Sequence, residues 1–205
     1  LRFHRGMDRY DAQQRAAHWS VLPQISAEAR SIGIMGLGMI GQAVAKLLVT
    51  MGFKVHGWSQ TRKLLEGVNS YVGEAERDAF LENTEILVAV LPSTVATVGL
   101  IDARLLEQLP RGAFLINVGR GDLIHENDLL NALDREHLGG AALDVFSQEP
   151  LPVGHPFWRH PRVSITPHVA SITQAHTAVA HVVTNIGRWQ AGQTLSHVVD
   201  LEQGY

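Results

Sequence analysis

The 205-residue chain has no cysteine at all. That excludes a disulfide framework and thiolate metal sites, and it fits a reducing compartment. It has no surplus of positive charge either: 17 Lys and Arg against 20 Asp and Glu leave a net charge of −3. There is thus no basic footprint for nucleic acid. No apolar run reaches the ~18 residues of a membrane span, and nothing at the start has the pattern of a signal peptide. Internal repeats, charge blocks and low-complexity tracts are also missing. The histidines show no metal-ligand spacing: His125-Glu126 is not followed by a histidine at the zincin position. What remains is an ordinary globular balance, 45% hydrophobic and 18% charged, with enough length for a sizeable core. A soluble, cytoplasmic protein without a metal is expected.

The most informative stretch present is Ser31-Ile-Gly-Ile-Met-Gly-Leu-Gly-Met-Ile-Gly41. Ile32, Ile34 and Met35 read as a buried strand, and Gln42 to Met51 as a helix. Between them Gly36, Gly38 and Gly41 stand in G-x-G-x-x-G spacing. Gly36 allows the tight turn, Gly38 a close approach of backbone to a pyrophosphate, and Gly41 close packing of helix on strand. The free N–H groups and the positive dipole end of the helix would then face the phosphates. Alone the glycines are a weak signal, since glycine-rich turns are common; the strand before and the helix after give them weight.

From Ser31 onward, short β-type runs alternate with helical ones, the pattern of a parallel sheet with helices on both faces. Strands are expected at 31–35, Lys54–Trp58, near Tyr71–Val72, and at Glu85–Val90, Ala113–Val118, Gly140–Asp144 and Val163–Thr166. Helices are expected at 40–51, 74–82, 103–109, 127–137 and 171–191. Residues 7–22 are polar with scattered aromatics and a helical run from Asp11, which suits an arm that covers its own domain or a second subunit.

A second absence concerns the cofactor. An NAD site ordinarily has an acidic residue at the end of its second strand, accepting from the ribose 2′-OH. Here Lys54-Val-His-Gly-Trp58 is followed by Ser59, Gln60, Thr61, Arg62 and Lys63, with no carboxylate before Glu66. Hydroxyls and two cations suit a 2′-phosphate. NADPH is therefore preferred, with NADH possible; the bland reading is a solvated turn that happens to carry two cations.

Three later strands end in unusual polar residues, and ligands of open α/β sheets collect at such ends. They are Asn117-Val-Gly-Arg120-Gly121, Asp144-Val-Phe-Ser-Gln-Glu149-Pro150 and Thr166-Pro-His168-Val-Ala-Ser. Each has a structural explanation of its own: a strand-end ion pair for Arg120, a turn residue in Glu149, a helix start at His168. Their occurrence together behind a dinucleotide turn is harder to read as accident.

These motifs, with Leu91-Pro92 and Thr97, make the chain resemble the D-isomer-specific 2-hydroxyacid dehydrogenases over nearly its whole length. Trp58-Ser-x-Thr-Arg-Lys63, Ile172-Thr173 and the ending Gly204-Tyr205 are similar to the glyoxylate/hydroxypyruvate reductase A subgroup. The resemblance implies a Rossmann-type doubly wound parallel sheet that reduces a small 2-oxoacid to the D-2-hydroxyacid. It implies catalytic roles for Arg120, Glu149 and His168. Arg120 would bind the substrate carboxylate and polarise the ketone. His168 would donate the proton, and Glu149 would orient its ring. It further implies a cofactor held by Gly36, Gly38, Met39, Ile40, Gly41, Trp58, Ser59, Thr61, Arg62, Lys63, Leu91, Pro92, Thr97, Val118, Gly119 and Asp144. Asp144 could equally be an ordinary strand-end carboxylate. Gly119 stands where many relatives have Ala, Ser or Thr, a departure expected to be tolerated.

The same resemblance implies a homodimer and a fragment of a two-domain enzyme. Residues 1–30 would be the end of an interdomain helix plus a dimerisation arm, and 31–170 the nucleotide domain. Residues 171–205 would be a helix and tail crossing back to a substrate domain of roughly 100 residues, leaving Val182 and Trp189 exposed here. Three other readings are weaker. A β-hydroxyacid dehydrogenase needs a Lys and a following Asn on a later helix, which are not found. Gly57-Trp-Ser-Gln-Thr61 lacks the last glycine of a hydrolase elbow. A nucleotide-sensing corepressor could share the fold, but the Arg–Glu–His set speaks for an enzyme.

Overall fold

Parallel strands buried on both faces need apolar residues on both sides, and the sequence supplies them in short runs. In the structure, a computed structural model that describes residues 1–199, these runs form one seven-stranded, all-parallel sheet. The strands are β1 (Ser31–Met35), β2 (Lys54–Ser59), β3 (Val68–Val72), β4 (Ile86–Ala89), β5 (Ala113–Asn117), β6 (Leu138–Leu143) and β7 (Val163–Ile165). Their spatial order is β3-β2-β1-β4-β5-β6-β7. The chain starts in the middle, runs outward through β2 and β3, then returns to the other side of β1. The reversal between β1 and β4 opens a crevice at the carboxyl ends of the strands.

The helices are α1 (Met7–Arg15), α2 (Met39–Thr50), α3 (Arg77–Glu82), α4 (Ala103–Gln108), α5 (Glu126–Asp134) and α6 (Ala175–Gln190). Alternation along the strands sorts side chains into two cores. Leu87, Ala89, Leu115 and Leu143 join Phe80 and Leu81 of α3, Leu105 and Leu106 of α4, and Leu129 and Leu133 of α5. On the other face Ile32, Ile34, Val55, Ile86 and Val88 pack with Ala45 of α2, Phe53 and Phe3. Phe3 stacks on Phe114 with ring centroids 4.4 Å apart. Truncating a fully buried leucine in such a core to alanine costs about 2–5 kcal/mol.

Two compact units divide the chain, one ending at Pro167 and one starting at His168. In the first, residues 1–6 make a helical turn that closes at Gly6, which is left-handed at φ +63. The Gly6 N–H donates to Phe3 O and the Met7 N–H to Arg2 O, the paired bonds of a Schellman ending. After α1, the Leu22 N–H donates to the Tyr10 hydroxyl at 3.0 Å, while Trp19 and Val21 stand exposed. Glu85 ties the start of β1 to its neighbour, accepting from the Ser31 N–H and the Arg30 guanidinium.

The second unit holds α6. Asn185 exchanges hydrogen bonds with Ser196, its Nδ2 donating to Ser196 O and its Oδ1 accepting from Ser196 N–H, so the segment after the helix folds back on it. Val179, Val182, Val183, Ile186 and Trp189 are all exposed. The ending Gly204-Tyr205 lies outside the described residues.

Several boundaries differ from the sequence expectation. Strand β3 starts three residues earlier than Tyr71, and β6 starts at Leu138, ahead of its two glycines. Helix α3 is shorter than 74–82 and α5 than 127–137, and α6 begins at Ala175 rather than 171. No helix among the described residues is long and apolar enough to cross a membrane.

Candidate active site

Because every strand points the same way, every strand end named above lies on one rim of the sheet. The register makes this concrete. Met35 is level with Trp58 and with Ala89, Ala89 with Asn117, Asn117 with Leu143, and Leu143 with Ile165. One residue or a few beyond that row come Gly36, Ser59, Leu91, Val118, Asp144 and Thr166.

At the centre is the glycine turn. Gly36 has φ +111, and a Cβ there would meet Val90 O at 2.7 Å; its N–H donates to Trp58 O at 2.9 Å. Gly41 packs so closely that a Cβ would lie 1.8 Å from Gly36 O. Gly38 is the opposite case: a Cβ there would meet nothing within 4 Å. It is the N-cap of α2, whose first internal bond runs from Gln42 N–H to Gly38 O, leaving the amides before it without an intrahelical acceptor. Met39 and Ile40 beside it are exposed. An open glycine at a helix start with free amides is a cradle that suits a pyrophosphate.

At the end of β2, the Ser59 hydroxyl donates to Thr61 O at 2.8 Å and shapes the turn that carries the cations. Arg62 donates through Nη1 to Ser70 O at 3.0 Å and through Nη2 to Glu76 Oε1 at 2.7 Å. Lys63 lies next to it, half-buried, and both line a depression of about 500 Å³ with Leu65, Val68 and Ser70. The donor set fits a phosphate monoester at this loop.

Two residues expected at the cofactor turn inward instead. Trp58 is buried at 2% exposure and its Nε1 donates to Gly73 O at 2.7 Å; its indole belongs to the core, and what it gives the site is the carbonyl that holds Gly36. Thr97 is buried, and its hydroxyl donates to Pro92 O at 2.6 Å while accepting from Thr94 N–H at 2.8 Å. It closes the loop after Leu91-Pro92 rather than presenting a hydroxyl outward.

The Arg120 turn is built by Asn117, fully buried at the end of β5. Its Nδ2 donates to Arg120 O at 2.8 Å and its Oδ1 accepts from Gly119 N–H at 3.1 Å. The Arg120 side chain is exposed, with Nη1 on Gly119 O. At Gly119 a Cβ would lie 2.8 Å from Leu91 O. Glycine here is therefore more than tolerated: the Leu91 backbone has closed onto it, and a side chain would push that loop away. At Gly121 a Cβ would lie 1.8 Å from the Phe146 carbonyl carbon, so the Arg120 turn packs directly on the loop that carries Glu149. Within that loop Glu149 Oε1 accepts from Phe146 N–H at 3.0 Å. Asp144 is buried, its N–H donating to Asn117 O and its Oδ1 accepting from the Thr166 hydroxyl at 2.5 Å. Val118 is anchored by its N–H on Ala89 O. His168 opens the second unit with a left-handed backbone, φ +53.

Three contributors have no role in the sequence reading. Asn117 stands there only as the polar residue that opens the Arg120 motif, with no part assigned to it. Ser93, donating to Asp122 Oδ2 at 2.5 Å, and Glu76, reaching Arg62, come from distant stretches with no local signature. No group of three or more His, Asp or Glu able to hold a metal occurs among the described residues.

The family description "D-isomer specific 2-hydroxyacid dehydrogenase, NAD binding domain" matches residues 1–170. The chain is 46% identical over 205 residues to glyoxylate/hydroxypyruvate reductase A of Salmonella paratyphi B, covering 100% of this chain and 66% of that protein. It thus spans just under two thirds of the length of the curated relatives it matches. A D-isomer specific 2-hydroxyacid dehydrogenase from Xanthobacter autotrophicus Py2, solved with NADPH and MES, is 43% identical with a TM-score of 0.98, over 100% of this chain and 85% of that one. An NADPH-dependent glyoxylate/hydroxypyruvate reductase from Sinorhizobium meliloti, solved with NADP and sulfate, is 42% identical with a TM-score of 0.96, over 100% of this chain and 66% of that one.

Proposed function

The chain belongs to the D-isomer-specific 2-hydroxyacid dehydrogenase family, and on that premise we propose that it is the nucleotide-binding part of an NADPH-dependent reductase of small 2-oxoacids of the glyoxylate and hydroxypyruvate kind. One observation carries the reading: an all-parallel sheet sets the glycine turn, the cation loop, the Arg120 turn and the Glu149 loop along one rim. The relatives' own names and ligands point the same way.

In this reading Gly36–Gly41 and the start of α2 hold the pyrophosphate, and Thr61, Arg62 and Lys63 hold the 2′-phosphate. When bound, the reduced nicotinamide supplies a hydride to the ketone carbon. Arg120, fixed at its backbone by Asn117, takes the substrate carboxylate on its planar fork and draws charge from the ketone oxygen. His168 gives a proton to that oxygen. Glu149 orients the imidazole. Asp144, already held by Thr166, faces the nicotinamide end.

The reading extends to the whole protein. Residues 1–30, 31–170 and 171–205 are assigned as interdomain helix end and arm, nucleotide domain, and returning helix. The exposed face of α6 is assigned to the substrate domain, Trp19 and Val21 to a homodimer contact, and the cytoplasm to the enzyme.

Steady-state oxidation of NADPH, followed by the absorbance of the reduced ring, tests the proposal on the full-length enzyme. Glyoxylate or hydroxypyruvate should drive turnover, and His168→Ala should lower it by about 10²–10⁴-fold while NADPH still binds. A protein that binds NADPH but turns over no 2-oxoacid would be a nucleotide sensor instead.

A further inference from the structure

The sequence has no carboxylate at the end of β2, yet the fold brings one there. Glu76, just before α3, places Oε1 at 2.7 Å from Arg62 Nη2, and its Oε2 accepts from Val72 N–H at 2.8 Å. The other terminal nitrogen of Arg62 donates to Ser70 O at 3.0 Å. The guanidinium is thus held at both terminal nitrogens by acceptors anchored to β3 and the turn that follows it. Val72, whose amide fixes Glu76, is level in the sheet with Ser59, the first residue of the cation loop.

We propose that Glu76 is a positioning residue for cofactor choice: it fixes the Arg62 guanidinium in advance for the 2′-phosphate and so raises the preference for NADPH over NADH. The inference rests on the assignment of Arg62 to that phosphate. Arginine has five N–H donors in a rigid fork. Two are taken by Glu76 and Ser70, and three remain for a phosphate. A long side chain that is ordered beforehand loses less freedom when the ligand arrives.

The opposing effect is repulsion between Glu76 and the phosphate. It is weakened because both side chains are about half exposed, 50% for Arg62 and 41% for Glu76, where water and salt screen charge. Glu76 is also tied to the Val72 amide, which disperses part of its charge in a charge-assisted hydrogen bond. Ordering therefore outweighs repulsion.

The test is the ratio of NADPH to NADH dissociation constants, by titration calorimetry, for wild type, Arg62→Ala, Glu76→Ala, Glu76→Gln and Arg62→Ala/Glu76→Ala. Glu76→Ala should lower the preference for NADPH about three- to fivefold, the size of an exposed, well-aligned ion pair. Glu76→Gln keeps an acceptor oxygen for Arg62 and should retain part of the preference. In the Arg62→Ala background the second substitution should change nothing further, because Glu76 acts through Arg62. A purely structural role would weaken both cofactors alike and leave the ratio unmoved. A ratio that is unchanged or raised in Glu76→Ala, with Arg62→Ala lowering it, overturns the inference alone. If Arg62→Ala itself leaves the ratio unchanged, the assignment of the 2′-phosphate fails, and this inference with it.

Discussion

Gly38 and Gly41 stand three residues apart in one turn and answer to opposite constraints. A side chain at Gly41 would collide with Gly36 O, whereas one at Gly38 would project into open space. Gly38→Val should therefore leave folding within about 0.5 kcal/mol of wild type, as an exposed substitution does, yet weaken NADPH binding more than about tenfold by occupying the pyrophosphate's place. Gly41→Val should destabilise the fold by about 1–3 kcal/mol or more through overpacking. Urea denaturation and NADPH titration of the two variants separate the effects. Equal loss of stability in both would mean that Gly38 is a packing residue and the cradle is misassigned.

Among the strands, β2 carries an unusual passenger. His56 is buried beside Tyr71, with Nδ1 lacking a hydrogen-bond partner. Burial, and secondarily the charge of Lys54, lowers its pKa below the ordinary 6.5. The unfolded chain then binds a proton that the folded one resists. Stability from this group is complete above about pH 6.5 and is lost as pH falls toward the lowered folded value. Denaturant unfolding between pH 7.5 and 5 should show a smaller loss of stability for His56→Leu than for wild type. Parallel curves would remove His56 from the account.

The elements also show what was legible in the sequence. The central strands β1, β4 and β5 were plain because a strand covered on both faces must be apolar throughout. Edge strand β3 is only half-buried, so Val68-Asn69-Ser70 gave no period to read. Gly139 and Gly140 hid the start of β6. The glycine turn, the cation loop and the strand-end polar residues are local patterns and could be read directly. The inward turn of Trp58 and Thr97, the closing of Leu91 on Gly119, and the Glu76 clamp depend on residues far apart in sequence, so no local pattern announced them.

At the scale of the whole molecule, one topological fact organises the rest. A sheet that begins in its middle and runs parallel throughout gathers the polar ends of its strands along one rim and opens a crevice at the switch between β1 and β4. Close packing at Gly119 and Gly121 then joins the Arg120 turn to the Leu91 and Glu149 loops, while the Asn117 side chain holds the turn itself. The family's NAD-binding-domain description covers the part of the chain that contains this rim.

The most direct measurement is a crystal structure of the protein with NADPH. The account predicts the pyrophosphate over Gly38 and the first amides of α2, the 2′-phosphate against Arg62 and Lys63, and the nicotinamide toward the Arg120 turn and Asp144. A dinucleotide lying elsewhere, or one with its 2′-phosphate in solvent away from Arg62, would contradict it.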